Sequence, residues 1–391
     1  MSKLFNQNHG RKGVSPTPLG WFILCVVTFI ILYRLYDMGA KRKLEAGPDP
    51  VDRSKNAYEK KLELFQKKAK EAVDELPAIP LFDHEVLDGK AYMEHIEKPN
   101  VKDFPVKYIL SPNVTCVEPV DMIVLVRTEP KSANFRNGIR MTWGLPSNFA
   151  KSPIKPVFKW KTIFIMASSG DNYDDVVIKE HAENNDVIQG DFFESKYEDT
   201  RKLMMGMKWL AEKMTQCPPK YVLKVADNTY VNIPLLTAWA SKKFPIARDL
   251  YVGRILRKDQ PIRDKTHPLY VSRNDYRPKY FPDIIQGPAY LFSGDVITRM
   301  VPLFKSVTPI AMEDAYIGIL AEKISVTPLH NERFHLTNVK ALSHRKEDAC
   351  HQIRIFFIHG IESVQHLVIF NNNQDAQEIC KNAHFGVNHL N

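Results

Sequence analysis

Cysteine and glycine are scarce in this chain, with five and 17 among 391 residues. No Cys-x-x-Cys pair or Cys/His cluster has zinc-ligand spacing, which excludes a small metal-stapled module. No Gly-x-Gly-x-x-Gly follows the first predicted strand, which sets aside a dinucleotide-binding oxidoreductase. Internal repeats and low-complexity blocks are absent too. A basic surface on the bulk of the chain is also lacking. The net charge is +9, but residues 1–43 hold seven basic groups against the single acid Asp37, leaving only +3 for the other 348 residues. That balance shows no nucleic-acid footprint, so no nucleic-acid partner is expected.

Between Gly13 and Tyr33 there is no charge at all. The apolar run from Leu19, extended to Tyr36, spans about 27 Å as a helix, close to the thin bilayer of the early secretory pathway. Trp21, Tyr33 and Tyr36 suit the interfacial belts, and Arg34 would snorkel. A cleaved signal peptide is the alternative, but the preceding tail is long and Met38-Gly39-Ala40 is a weak cleavage site. The expected organisation is a cytosolic tail (1–18), an uncleaved transmembrane signal-anchor (19–36), a stem (37–104) and a lumenal domain (105–391). Tyr58, Leu62, Phe65, Ala69 and Val73 recur at helical spacing in the stem, through which two copies could associate. The sequon Asn113-Val114-Thr115 makes Asn113 a glycosylation candidate. Apart from Cys25 in the anchor, four cysteines remain, an even set suited to an oxidising compartment. Cys116, Cys217, Cys350 and Cys380 allow three pairings. Cys116 with Cys217 and Cys350 with Cys380 is the expected one, because Cys116 and Cys217 each precede a predicted strand.

From Val120 strands and helices alternate. Strands are expected over 121–127, 161–166, 221–225, 251–255 and 289–292, with a short edge element at 186–190. Helices are expected over 134–143 with Asn134 as cap, 173–183, 200–214, from Pro234, 295–305 and 313–323. Such alternation predicts an α/β fold with a mostly parallel central sheet covered on both faces. Within it, the apolar run Tyr221–Val225 ends at Ala226-Asp227-Asn228. Read alone, those polar residues make a turn. Read as the carboxyl end of a buried strand, they mark where such sheets bind ligands.

Several ordered segments resemble one family, the β-1,3-galactosyltransferases and N-acetylglucosaminyltransferases, distantly related to fringe. Arg136-Asn137-Gly138-Ile139-Arg140-Met141-Thr142-Trp143-Gly144 is similar to the family's R-x-A-I-R-x-T-W-G. Asp186–Phe193 resembles D-I-I-Q-x-D-F, with Thr200 and Lys202 on the following T-x-K. The stretch Gly287-Pro288-Ala289-Tyr290-Leu291-Phe292-Ser293 resembles the segment ending in S-G-x-G-Y-x-x-S, and Glu313–Gly318 resembles E-D-V-Y-x-G. Cys350 to His359-Gly360-Ile361 loosely resembles the final C…A-H-R-V.

The resemblance implies a single-pass type II Golgi membrane protein with a GT-A-like fold. It implies inverting transfer of galactose or N-acetylhexosamine from a UDP-sugar to a hydroxyl of a glycan on a glycoprotein or glycolipid, forming a β-1,3 bond. Asp314 falls on the catalytic base, since inversion needs a carboxylate that accepts the acceptor-hydroxyl proton. Arg136, Arg140, Lys202, Asp227, Gly287 and Glu313 fall on the nucleotide-sugar pocket. Asp227, Asn228 and His359 fall on the ligands of Mn²⁺ or another divalent cation that would neutralise the diphosphate. The family's acidic triplet reads Ala226-Asp227-Asn228 here. An impaired member that binds a glycan, a nucleotide or a partner transferase is therefore the alternative reading.

Overall fold

The computed structural model describes residues 107–113, 119–152, 155–195, 197–267, 269–334, 337–338 and 354–379. All belong to the unit Glu94–Asn391. The expected tail, anchor and stem lie outside the described residues, as do Cys116, Cys350 and Cys380. Among the described residues no helix is long and apolar enough to cross a membrane.

Met122–Arg127 (β2) is the run around which the sheet is laid, with both faces buried. Ile123 and Leu125 join the apolar cluster on one face, while Met122, Val124 and Val126 join the cluster on the other. That period-2 division shows why the strand reads as continuously apolar: it has no solvent side. β2 pairs in parallel with Trp160–Ser168 (β3) and with Tyr221–Ala226 (β5), and β3 with Val187–Phe193 (β4). Tyr108–Leu110 (β1) adds antiparallel to β4. On the other side Ile284–Ser293 (β8) runs antiparallel to β5, then come Tyr251–Leu256 (β7), antiparallel to β8, and Leu329–His330 (β9), parallel to β7. The order is β1-β4-β3-β2-β5-β8-β7-β9.

The sheet is mixed, which corrects the expectation of a mostly parallel one. β2 to β5 form a four-stranded parallel block and β9 a short parallel pair with β7, while β1 and β8 run antiparallel to their neighbours. After β7 the chain makes the excursion 257–283 and returns beside its own strand as β8, and such a return needs no helical crossover. β4, expected at the edge, is interior because β1 covers it.

Both faces are covered, as expected. Asp199–Lys213 (α3), Gly294–Met300 (α5) and Glu313–Lys323 (α6) pack on the Leu125 face. Ala133–Arg140 (α1), Asn172–Asn184 (α2), Ile233–Lys243 (α4) and Gln365–Ile379 (α7) supply residues to the Val124 face. The cap of α1 is Ser132 rather than Asn134. A second sheet of three short strands, Thr337–Asn338 (β10), Phe357–His359 (β11) and Thr229–Val231 (β6), begins two residues after β5 ends. Asp227 and Asn228 are thus the turn on which the chain changes sheets.

Candidate active site

The carboxyl ends of β2 and β5 meet in register, Arg127 opposite Ala226, and the Asp227 amide still donates to the Arg127 carbonyl at 3.0 Å. Just beyond this point lies a cavity of about 220 Å³ lined by Arg127, Thr128, Glu129, Ser132, Lys202, Asp227 and Asn228. The Thr128 hydroxyl donates to Asp227 Oδ2 at 2.7 Å. Burial pushes the Asp227 carboxyl above its ordinary range, opposed by the Thr128 bond and the Arg127 charge. Lys202, on the first turn of α3, is buried and pairs with Glu194 at 2.6 Å and Asp199 at 3.0 Å. Arg127 pairs with Asp199 as well.

The turn itself is clamped from the C-terminal segment. Asn228 O accepts from the amides of Gly360 at 3.0 Å and Ile361 at 3.2 Å. His366 of α7, fully buried, lies 2.9 Å from the Asp227 carbonyl through Nε2 and accepts the Trp143 indole N–H on Nδ1 at 3.1 Å. With Nδ1 occupied as acceptor, Nε2 carries the proton and donates. Burial holds this imidazole's pKa down to about 4. His359 sits 3.1 Å from the Thr229 hydroxyl through Nδ1 and is pushed down by burial and by the Arg127 and Lys224 charges.

A second cluster stands at the start of α6. Lys224, in the middle of β5, is 2% exposed and forms a close ion pair with Glu313. Its Nζ lies 3.9 Å from Asp314 Oδ1, 3.5 Å from the Gly287 carbonyl and 4.7 Å from the centre of the Tyr290 ring. Tyr290 donates its hydroxyl to Glu313. The Gly287 amide donates to Asp314 Oδ2 at 2.8 Å. Gly287 has φ +111°, a conformation only glycine adopts without strain, and it turns that amide onto the carboxylate. Burial raises both Glu313 and Asp314, while Lys224 and Arg127 pull both back down. The Arg127 charge is felt at Asp227, His359, Glu313 and Asp314, so the two clusters share one electrostatic neighbourhood.

Of the residues singled out from sequence, Lys202, Asp227 and Asn228 line one cavity, and Gly287, Glu313 and Asp314 gather around Lys224. Arg136 and Arg140 sit elsewhere, in a buried ion-pair network. Arg136 binds Glu180 through two nitrogens at 2.8 and 2.7 Å and also donates to the carbonyls of Glu129 and Pro130. Arg140 bridges Glu180 and Asp186. Their guanidinium groups are spent on these partners, so they hold α1 to α2 and β4 rather than facing a phosphate. Asn113 is exposed and exchanges backbone-to-amide hydrogen bonds with Asn185; Val114 and Thr115 lie outside the described residues. Cys217 is disulfide-bonded. The site residues not foreseen are Arg127, Thr128, Lys224, Tyr290 and His366. Lys224 carried a signal, as the one charge inside an otherwise apolar strand; His366 carried none.

The side chains do not fit a resident divalent cation. One carboxylate, one carboxamide and one imidazole stand at the expected ligand positions, and Asp227 already accepts from Thr128. Among the described residues no group of three or more His, Cys, Asp or Glu side chains could hold a metal ion. A hard cation favours several carboxylate oxygens.

The galactosyltransferase family model matches residues 134–332, just over half the chain. The chain is 30% identical to human beta-1,3-galactosyltransferase 9 over 263 residues, which cover 66% of this chain and 69% of that protein. It is also 30% identical to human lactosylceramide 1,3-N-acetyl-beta-D-glucosaminyltransferase over 230 residues, 57% of this chain and 59% of that one. Mouse beta-1,3-galactosyltransferase 5 is 29% identical over 231 residues, 58% and 72% of the two chains. A solved mannosyltransferase from Pyrobaculum calidifontis aligns at 12% identity over 70% of this chain and 67% of that one, with a TM-score of 0.32, too low to add to this. The chain belongs to the galactosyltransferase family.

Proposed function

We propose that this protein moves galactose or an N-acetylhexosamine from a UDP-sugar to a hydroxyl of a glycan acceptor with inversion, forming a β-1,3 bond. The observation that carries the reading is the placement of Asp314. Its side chain keeps 27% of its surface exposed, while the Gly287 amide and the Lys224 ammonium hold its two oxygens. A carboxylate so held can take the proton of an acceptor hydroxyl as that oxygen attacks the sugar C1. The diphosphate leaves on the opposite face of the sugar, toward the cavity of Arg127 and Lys202, whose charges oppose the developing negative charge. The acceptor belongs to a glycoprotein or glycolipid, and the setting is the Golgi lumen, with the chain anchored through residues 19–36.

The test is release of UDP from UDP-galactose and UDP-N-acetylglucosamine by the purified full chain across an acceptor panel. Turnover lost on Asp314→Asn with UDP affinity kept supports the reading; turnover no higher than that of the variant overturns it. One observation favours the second reading, a binding protein without turnover. Arg127 and Lys202 are already paired with Asp199 and Glu194, so a diphosphate must compete with those acids. UDP binding with no transfer to any acceptor is its expected signature.

A further inference from the structure

Lysine is rarely buried without a partner, because an ammonium loses several kcal/mol of hydration on leaving water. Lys224 lies in the one strand that is buried on both faces and also leads directly into the Asp227 turn. Its ammonium is surrounded on four sides, by Glu313, the Gly287 carbonyl, the Tyr290 ring and Asp314. Two carboxylates thus share one cation. Glu313 takes the short contact and is further fixed by the Tyr290 hydroxyl. Asp314 receives the longer one and keeps 27% of its side-chain surface exposed.

We infer that Lys224 is a positioning residue for Asp314, with Glu313 as the anchor that fixes the ammonium at the distance where it balances the Asp314 charge without capping it. Without Glu313 the ammonium could swing onto Asp314 and cover the oxygen that must receive a proton. Without Lys224, two adjacent carboxylates would share a buried site with no cation between them, and one would take up a proton. The groups facing Asp314 are Lys224 from β5, Glu313 from its own helix, Arg127 from β2, Tyr251 from β7 and the Gly287 amide of β8. Of these, Lys224 is the closest charged side chain from another element. Burial raises the Asp314 carboxyl and Lys224 leads the groups that lower it.

The inference rests on the transferase reading, and the two can be separated. On the full chain, the acid limb of the pH–rate profile with a UDP-sugar donor is compared for wild type, Lys224→Met, Lys224→Arg and Glu313→Gln. In parallel, the carboxyl carbon of Asp314 is titrated by NMR on ¹³C-aspartate protein and assigned by its loss in Asp314→Asn. Lys224→Met should move both midpoints up by about 1 pH unit or more, since an opposite charge within ~4–6 Å is worth that much. Glu313→Gln should move them down, because the like charge is gone and the ammonium is released to Asp314. Lys224→Arg should restore most of the wild-type midpoint. Should both variants keep the wild-type midpoint while folded by circular dichroism, Lys224 merely fills the core and the inference is overturned. NMR midpoints that move as described in a chain without turnover support the Lys224–Asp314 coupling and overturn the transferase reading alone.

Discussion

His366 on α7 holds the carbonyl of Asp227 on the turn after β5, at 2.9 Å and across 139 residues of sequence. The same ring accepts from Trp143 in the turn just after α1, so three distant parts of the chain meet on one imidazole. The neutral ring makes both bonds, whereas a protonated Nδ1 could not accept from the indole.

A pH dependence of stability follows. Burial lowers the folded-state pKa of His366 from 6.5 to about 4. The stability this group supplies is therefore complete above the unfolded-state pKa and is lost as pH falls through the window from 6.5 toward 4. The loss is on the order of 2 kcal/mol by pH 5 and roughly 3 kcal/mol near pH 4. Urea denaturation of the full chain at pH 7.0 and 5.0 checks it. In His366→Asn that part of the slope should vanish, while the variant is less stable at both values. An unchanged slope would show that His366 is not the group responsible.

Arg136 and Arg140, expected at the nucleotide-sugar pocket from the family resemblance, are instead spent on Glu180 and Asp186. An arginine in a helix suits a phosphate or a carboxylate equally well, and Glu180 lies 44 residues away from Arg136 with nothing local to announce it. Arg136→Met leaves Glu180 with one of its two arginines, in a site with almost no access to water. Removing one partner of a buried pair costs about 3–5 kcal/mol. The expected outcome is a loss of that size in unfolding free energy, measured by denaturant titration. UDP affinity, measured at a temperature where the variant is folded, should stay within about threefold of wild type, because neither guanidinium faces the cavity.

The parallel block β2 to β5 was legible because strands buried on both faces read as unbroken apolar runs, and α3 because Leu203, Met207 and Leu210 keep helical spacing. Strand direction was not legible. Nothing in Ile284–Ser293 distinguishes a strand entered by a helical crossover from one entered by a returning loop. The three-stranded sheet escaped notice because strands of two or three residues are too short for a period. α7 was hidden by Asn371-Asn372-Asn373, residues that favour turns outside a packed context. Of the site, the Asp227 turn was visible locally and the Glu313-Asp314 pair only through the family resemblance, whereas Arg127 and Thr128 acquire meaning only when β2 is laid beside β5.

Arg127 makes the cavity's electrostatics testable. It and Lys202 are the cations lining the space beyond Asp227, where the side chains do not fit a divalent ion. Calorimetric titration with UDP should give affinities within about threefold of each other in EDTA and in Mn²⁺. Arg127→Met should weaken binding about tenfold or more, since a charge-assisted hydrogen bond is worth ~1.5–3 kcal/mol. Binding that requires Mn²⁺ would mean that Asp227 and Asn228 hold a cation after all.

Gly287 links backbone conformation to the chemistry of Asp314. Its φ of +111° lies where a Cβ is strained, and that conformation is what aims the amide at Asp314 Oδ2. Gly287→Ala must either keep the conformation at a cost of about 1–3 kcal/mol or relax and withdraw the amide. In the relaxed case the carboxylate loses a donor that favours its charged form, and its pKa moves further up. Turnover should therefore fall most at the acid end of the pH range and recover partly as pH rises, with UDP affinity little changed. A uniform loss across pH would instead indicate that the glycine matters for folding alone. Thermal melts on the same preparations separate the two outcomes, because strain lowers the melting temperature whether or not the acid limb moves.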